Sequence, residues 1–203
     1  MNNQALTVVR PQSIITGDLV DDDKNLQKCL NWIPELKCKH DKYFAPGNWE
    51  HWSGTLQNDL ISKLNAKGVK TLYNSGEIID VEGGNFFLAG IDDAYFGAPN
   101  SQEAFRNQRT GIPTIVLSHS PVGVNILKSF RTDLILSGHT HGGQVRLPGI
   151  GALQTPPGSG KFEMGLYRVG KDQLYVNRGI GTSIIPFRFM CPPELTLIEI
   201  TGT

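Results

Sequence analysis

Residues 134–143 read Leu-Ile-Leu-Ser-Gly-His-Thr-His-Gly-Gly. Leu134–Leu136 is an apolar run of strand length that leads directly to His139 and His141. Two imidazoles two residues apart, with glycines on both sides, let the backbone come close to metal ions. A merely glycine-rich turn is the competing interpretation. The stretch predicts a buried strand whose end carries metal ligands.

Three other short apolar runs end in the same way. Each run and the ligand-type residue that follows it are Ser13–Thr16 with Asp18, Lys42–Ala45 with Asn48, and Thr114–Leu117 with His119. The carboxyl ends of strands line the ligand crevice of an open α/β sheet, so we expect these side chains and His139 to converge. Carboxylate, amide and imidazole groups together suit a divalent ion such as Mn, Fe or Zn.

The rest of the chain alternates between helix-type and strand-type segments. Asp23 is the expected N-cap of a helix that reaches about Pro34, and a second helix is expected to close at Gly68. The expected later strands are Val69–Leu72, Glu77–Val81, Asn85–Ile91, Leu166–Val169, Leu174–Asn177 and Leu195–Ile200. The alternation predicts one α/β domain with a mixed sheet over residues 1–203.

Composition narrows the class of protein. The chain has 203 residues, 39% of them hydrophobic, with 19 Lys+Arg against 19 Asp+Glu, and this balance argues against a bulk nucleic-acid or anionic-membrane binder. No apolar run approaches the roughly 20 residues that a membrane span needs. Met1–Gln4 lacks a charged segment followed by an apolar one, so we expect no signal peptide there. Cys29, Cys38 and Cys191 have no metal-like spacing, so we expect reduced thiols.

Four motifs occur in a family-specific order. They are Gly17-Asp18-Leu19-Val20-Asp21, Gly47-Asn48, Ser118-His119-Ser120-Pro121 and Gly138-His139-Thr140-His141-Gly142-Gly143-Gln144. With them the chain resembles the calcineurin-like metallophosphoesterases over nearly its whole length. Tyr175–Ser183 and Arg188–Leu195 look like the bacterial branch related to UDP-diacylglucosamine pyrophosphohydrolases and membrane-associated phosphodiesterases. The resemblance implies a two-sheet α/β sandwich flanked by helices and a metal-dependent hydrolase.

The same resemblance implies a two-metal site. Asp18 would bridge both divalent ions, which would be Mn, Fe or Zn. Asn48, His119 and His139 would complete one site, and His141 would serve the other. A hydroxide between the ions would attack phosphorus in line while the ions stabilise the developing charge. The implied reaction is the hydrolysis of a phosphodiester or a phosphoanhydride.

The sequence departs from the family at its beginning. The family opens with a strand carrying Asp-x-His, which this sequence lacks, and Met1–Gln12 resembles the end of the helix that follows that strand. We therefore expect an N-terminally incomplete domain that holds one ion well and a second ion, at His141, weakly. The alternative is a truncated domain, weakly active or inactive, that binds at most one metal tightly. An open sheet position would also invite self-association with a neighbouring chain.

A second departure lies in the Gly47-Asn48 motif, which continues with Trp49 where the family has a histidine that helps to protonate the leaving group. An indole N–H donates a hydrogen bond but cannot deliver a proton. His51 could replace the missing acid or be a surface loop residue, and both interpretations stay open. Trp49 and Trp52 could equally pack as loop aromatics or line an apolar substrate site.

The remaining expectations concern the phosphate group, the substrate and the location of the protein. Arg178 and Arg188 could contact a substrate phosphate, although salt-bridge or rim roles are at least as plausible from the sequence. The expected partner is a small-molecule or lipid-linked phosphoester, with no nucleic acid. The expected location is cytoplasmic or membrane-peripheral.

Overall fold

The structure is a computed structural model that describes residues 12–38, 40–55, 59–81 and 83–200. The resemblance of Met1–Gln12 to the end of a helix concerns residues that lie, except for Gln12, outside the described part of the chain. The helices are α1 (Asp23–Trp32), α2 (Asn48–Trp52), α3 (Ile61–Ala66) and α4 (Ser101–Ala104), with 3-10 turns at Ile33–Glu35, Pro121–Asn125, Leu127–Ser129 and His141–Gly143. The strands are β1 (Ser13–Ile15), β2 (Lys42–Phe44), β3 (Val69–Thr71), β4 (Ser75–Val81), β5 (Gly84–Gly90), β6 (Thr114–Leu117), β7 (Leu134–Ser137), β8 (Arg146–Leu147), β9 (Gly151–Ala152), β10 (Gly165–Val169) and β11 (Asp172–Val176).

Two main sheets form the centre of the molecule. The first is parallel and runs β1-β2-β3. The second is mixed and runs β10-β11-β7-β6-β5-β4, with antiparallel hairpins at its two edges and parallel pairs between them. Strands β8 and β9 form a separate small ribbon. The mixed α/β architecture expected from the sequence is confirmed.

The two sheets pack face to face. Because successive side chains on a strand point to opposite faces, each sheet contributes one face to the core between the sheets and the other to an outer core. On β2, Tyr43 belongs to the core between the sheets, whereas Phe44 packs with the helical residues Leu26 and Leu64 on the other side. The side chains of β6 alternate in the same way in the second sheet. Ile115 and Leu117 face the first sheet, and Val116 faces the outer core. The order of layers is therefore helices, sheet, sheet, helices, as the two-sheet sandwich implied.

Two local expectations were wrong. Asp22 rather than Asp23 caps α1, because its extended backbone lets its side chain accept a hydrogen bond from the Lys24 N–H at 3.0 Å. Residues 191–200 form no strand, and Leu195 and Leu197 are 94% and 85% exposed. A strand forms only where a neighbour completes a ladder of backbone hydrogen bonds. In this segment the Glu194 N–H donates to the Gly179 carbonyl at 3.0 Å, whereas Thr196 meets Tyr175 through its side chain.

Strand β1 is an edge strand within the described residues, where it pairs only with β2. The expectation that a neighbouring chain adds to this sheet stays a prediction. Among the described residues, no helix is long and apolar enough to cross a membrane.

Candidate metal centre

Four predicted ligands converge where their strands end. Ligand atoms of Asp18, His119 and His139 all lie within 4.8 Å of one another. The Asn48 side-chain oxygen lies 3.1 Å from His119 Nε2 and 2.8 Å from His139 Nδ1. The four side chains come from the ends of β1, β2, β6 and β7, as the sequence pattern predicted.

Backbone carbonyls fix the orientation of both imidazoles. His119 donates from Nδ1 to the Thr16 carbonyl, and His139 donates from Nε2 to the Pro157 carbonyl, each at 2.6 Å. The opposite nitrogens, His119 Nε2 and His139 Nδ1, then face each other at 3.1 Å. Two imidazole nitrogens, an amide oxygen and a carboxylate therefore meet at one point, and such a donor set fits a divalent cation that displaces the proton of His119 Nε2.

Three candidate ligands sit on strained backbone. Asp18, His139 and His141 have φ angles of 55°, 67° and 51°, in the left-handed region that non-glycine residues rarely adopt. Each such residue costs roughly 1–3 kcal/mol and persists only when its surroundings impose it. Asn74, Gln144, Ile184 and Met190 also have positive φ, so three of the seven such residues in the described part of the chain are predicted ligands.

Two glycines allow the side chains to approach this closely. A Cβ atom on Gly17, whose φ is +101°, would lie 2.4 Å from His119 Nδ1. A Cβ atom on Gly47 would lie 2.4 Å from the Asp18 carboxylate and 2.8 Å from His119 Cε1. Any side chain at either position would push His119 or Asp18 away, which explains the glycines that precede Asp18 and Asn48.

The charges of the cluster are coupled. Burial opposes ionisation of Asp18 and His119, but their mutual attraction outweighs it, lowering the pKa of Asp18 and raising that of His119 to about 9. Burial, followed by the charge of His119, lowers the pKa of His139 to about 4. The cluster is thus built to hold positive charge next to Asp18, while His139 stays neutral and able to act as a ligand.

Glu50 holds the two ligand-bearing turns together, a role the sequence interpretation missed. Its fully buried carboxylate accepts from the backbone N–H groups of Asp18 (3.0 Å), Leu19 (2.6 Å), Val20 (3.0 Å) and Gly47 (2.7 Å). Burial, and next the charge of Asp18, raise the pKa of Glu50, while the Gly47 and Val20 N–H groups oppose them. The available signal was an acidic residue three positions after the helix N-cap, as in a capping box.

His141 lies beside this cluster but not in it. The group of His, Cys, Asp and Glu side chains suited to a metal contains Asp18, His119 and His139 among the described residues. The His141 Nδ1 atom is buried without a hydrogen-bond partner. Burial lowers the pKa of His141, and the charge of Asp18 opposes this shift. A neutral imidazole with a free buried nitrogen is what a further metal ligand requires.

The structure places His51 against Asp92 rather than in the cluster. His51 Nε2 lies 2.6 Å from a carboxylate oxygen of the buried Asp92, and its side chain is 15% exposed. His51 is therefore a helical, half-buried residue and not a surface loop residue. Its role as a proton donor stays a prediction.

The His51–Asp92 contact predicts a pH-dependent contribution to stability. The hydrogen bond to Asp92 raises the pKa of His51 above 6.5, so its stabilisation is complete below that value and is lost as the pH rises through the raised pKa. We expect His51→Ala to lower the free energy of unfolding by about 1.5–3 kcal/mol at about pH 6 and by less at about pH 9. Urea unfolding at both pH values measures this, with His40→Ala as the matched histidine control. An equal loss at both pH values would contradict the ionised pair.

The two predicted arginines bind protein groups. Arg178 Nε donates to the Glu194 carboxylate at 2.8 Å. Arg188 donates from Nη1 to the His141 carbonyl at 3.1 Å and from Nη2 to the Arg178 carbonyl at 2.7 Å. The structure thus shows the salt-bridge role for Arg178, and it shows Arg188 tying a C-terminal loop to the backbone of His141.

Comparison with known proteins agrees with this geometry. The family model "Calcineurin-like phosphoesterase" matches residues 8–143. The chain is 31% identical to the uncharacterized metallophosphoesterase YkuE of Bacillus subtilis over 94% of this chain and 68% of that protein. It is 34% identical to the phosphodiesterase YaeI of Escherichia coli over 76% of this chain and 56% of that protein.

A solved structure shares the fold. The phosphopantetheinyl hydrolase PptH of Mycobacterium tuberculosis superposes with a TM-score of 0.51 over 81% of this chain and 77% of that one, at 11% identity. The narrower resemblance to UDP-diacylglucosamine pyrophosphohydrolases stays a prediction. The matched family model, the relatives and the convergence of the motif residues together show that this chain belongs to the calcineurin-like phosphoesterases, a family of metal-dependent hydrolases.

Proposed function

We propose that this chain hydrolyses a phosphodiester or a phosphoanhydride of a small-molecule or lipid-linked substrate with the help of two divalent ions. The observation that carries the proposal is the meeting of the Asp18, Asn48, His119 and His139 ligand atoms at one point. Bound ions would supply a hydroxide nucleophile at neutral pH and neutralise charge on the phosphoryl group.

The residues of the chain prepare this site before a substrate arrives. Thr16 and Pro157 hold the imidazoles of His119 and His139 in the orientation that a ligand needs. Glu50 holds the turn that carries Asp18. Because these partners are in place, binding an ion requires little reorganisation, and such second contacts typically change metal affinity about 10–100-fold.

The two proposed ion sites differ in ligand number. One site can draw on four side chains of the cluster, whereas the described residues supply only Asp18 and His141 for the other. Calorimetric titration with manganese or zinc is therefore expected to show at most one tight site per chain. Two equally tight sites would mean that further ligands take part.

The alternative function, a weakly active or inactive domain that binds one ion, rests on this same shortage of ligands. It predicts one bound ion and negligible turnover. The leading proposal predicts that turnover increases when the weaker site fills at higher metal concentration. Measuring the rate as a function of free manganese separates the two.

The metal requirement itself gives a direct test. Removing divalent ions with a chelator is expected to abolish hydrolysis of bis(p-nitrophenyl) phosphate, and adding manganese or zinc is expected to restore it. The control is the circular dichroism spectrum, which should show the fold intact after chelation. Unchanged hydrolysis after complete metal removal would sink the proposal.

Trp49 restricts the leaving group. The Trp49 indole N–H cannot deliver a proton, and the His51 ring is bonded to Asp92. We therefore expect phosphoanhydrides and aryl phosphodiesters, whose leaving groups need little protonation, to react faster than alkyl phosphodiesters. A rate for an alkyl phosphodiester that falls selectively in His51→Ala would instead identify His51 as the acid.

A further inference from the structure

Four aromatic side chains form a continuous row, which we call the aromatic row. Its members in spatial order are Trp49, Trp52, Phe96 and Tyr95. Neighbouring rings meet edge to face, with centroids 4.9, 4.6 and 4.8 Å apart along the row. Edge-to-face packing at these distances fixes the orientation of each ring.

The residues at the two ends of the row lie next to the metal centre. Trp49 directly follows Asn48, and its backbone N–H donates to the Asp18 carboxylate at 3.0 Å. At the other end, a Cβ atom built on Gly158 would lie 2.9 Å from Tyr95 Cβ and 3.1 Å from His139 Nε2. The aromatic row therefore borders the cluster on the Asn48 side and on the His139 side.

Buried carboxylates hold the outer half of the row in place. Asp93 accepts hydrogen bonds from the backbone N–H groups of Tyr95 (3.1 Å) and Phe96 (2.7 Å) and from the Ser120 hydroxyl, next to His119. Asp92 binds His51, the residue before Trp52. The rings are thus anchored to the same segments that carry the metal ligands.

The row keeps a large aromatic surface in contact with solvent. Trp52 and Tyr95 are each 51% exposed, and Phe96 is 39% exposed. Rigid, exposed rings beside a phosphate-binding centre suit a flat partner that can stack, and one stacked ring typically changes affinity about five- to hundredfold. An acyl chain, by contrast, gains from burial against any apolar side chain and does not need aromatic faces.

We propose that the aromatic row binds a planar aromatic group of the substrate, a nucleobase or an aryl ring, while the cluster holds the attached phosphate. This inference rests on the proposed phosphoester hydrolysis, and it adds a substrate class that the metal ligands do not specify. Trp52 is the residue to test because it lies in the middle of the row and contacts two other rings.

The test is direct binding of phosphate monoesters that differ only in the attached group. Calorimetry with added manganese would give the dissociation constants of phenyl phosphate, a nucleoside 5′-monophosphate, octyl phosphate and ethyl phosphate. Trp52→Ala is expected to weaken the first two about tenfold and to leave ethyl phosphate unchanged. Comparing phenyl phosphate with the nucleotide shows which kind of ring fits better.

Two further variants make the outcome decisive. Trp32→Ala removes an indole that is 42% exposed on α1, and it should change no dissociation constant. Trp52→Leu keeps an apolar side chain without a ring, and it should not restore binding. If Trp52→Leu binds phenyl phosphate as the unmodified chain does, or if octyl phosphate loses as much affinity as phenyl phosphate, the row is a general apolar surface and the proposal is overturned.

The test also separates this inference from the proposed function. Selective aryl binding through Trp52 in a chain that hydrolyses neither phosphodiesters nor phosphoanhydrides would support the row and refute the hydrolysis. Metal-dependent hydrolysis in a chain whose binding of phenyl phosphate does not depend on Trp52 would support the hydrolysis and refute the role of the row.

Discussion

Replacing His119 by alanine is expected to remove tight metal binding and, with it, hydrolysis. His119 is buried at the centre of the cluster, where its Nε2 atom lies 3.1 Å from Asp18, Asn48 and His139 ligand atoms alike. Changing a residue that only orients a ligand costs about 10–100-fold in metal affinity, so the loss of this ligand should exceed about a hundredfold. Calorimetric titration with manganese and the rate with bis(p-nitrophenyl) phosphate both measure it.

The matched comparison is with two other histidines. His141→Ala should affect tight binding less, because His141 lies outside the cluster. His40→Ala should have no effect on metal binding, because His40 is not among the candidate ligands. Circular dichroism of each variant excludes unfolding as the cause. A larger loss of tight binding in His141→Ala than in His119→Ala would reverse our assignment of the tight site.

Replacing Glu50 by glutamine is expected to destabilise the whole protein. Each carboxylate oxygen of Glu50 accepts two backbone N–H groups, and a glutamine would turn one of these oxygens into a donor. Two N–H groups, one buried and one part-buried, would then lack an acceptor. A fully buried group costs about 1–3 kcal/mol and a part-buried one less, so the free energy of unfolding should fall by about 2–4 kcal/mol. Urea unfolding measures the loss.

The control for Glu50 is an exposed glutamate, Glu35. Glu35→Gln changes an exposed side chain at the end of a short 3-10 turn and should leave the free energy of unfolding within about 0.5 kcal/mol. Glu50→Gln should also weaken manganese binding, since the turns carrying Asp18 and Asn48 lose their common anchor. A variant as stable as the unmodified chain would show that Glu50 is protonated and that its contacts differ from those described.

Much of the fold could be predicted because it depends on local pattern. The strands before Asp18, Asn48, His119 and His139 are short apolar runs that end in polar residues, and the structure contains all four. The predicted strand Leu195–Ile200 shows the limit of this reasoning. Its residues are mostly apolar or β-branched, as in the other strands, but forming a strand depends on a neighbour elsewhere in the chain, which local pattern does not reveal.

Some features of the site could also be predicted from the sequence, and others could not. The candidate metal ligands could be named from residue type and position, because only a few side chains bind metal ions and the ends of parallel strands meet at one edge of a sheet. The roles of Glu50, Asp92 and Asp93 did not follow, because each acts through a partner distant in sequence: Val20, His51 and Ser120.

The sequence by itself thus determined the layered α/β fold, the family and the nature of the metal-binding side chains. Periodicity and motif order can be read directly from the sequence, without knowledge of contacts between distant segments. Only the tertiary structure decided which nitrogen of His119 and His139 faces the centre, that His51 pairs with Asp92, and that the aromatic row borders the cluster. These features arise from contacts between distant segments, and their geometry exists only once the two sheets have packed and fixed the distances between loops.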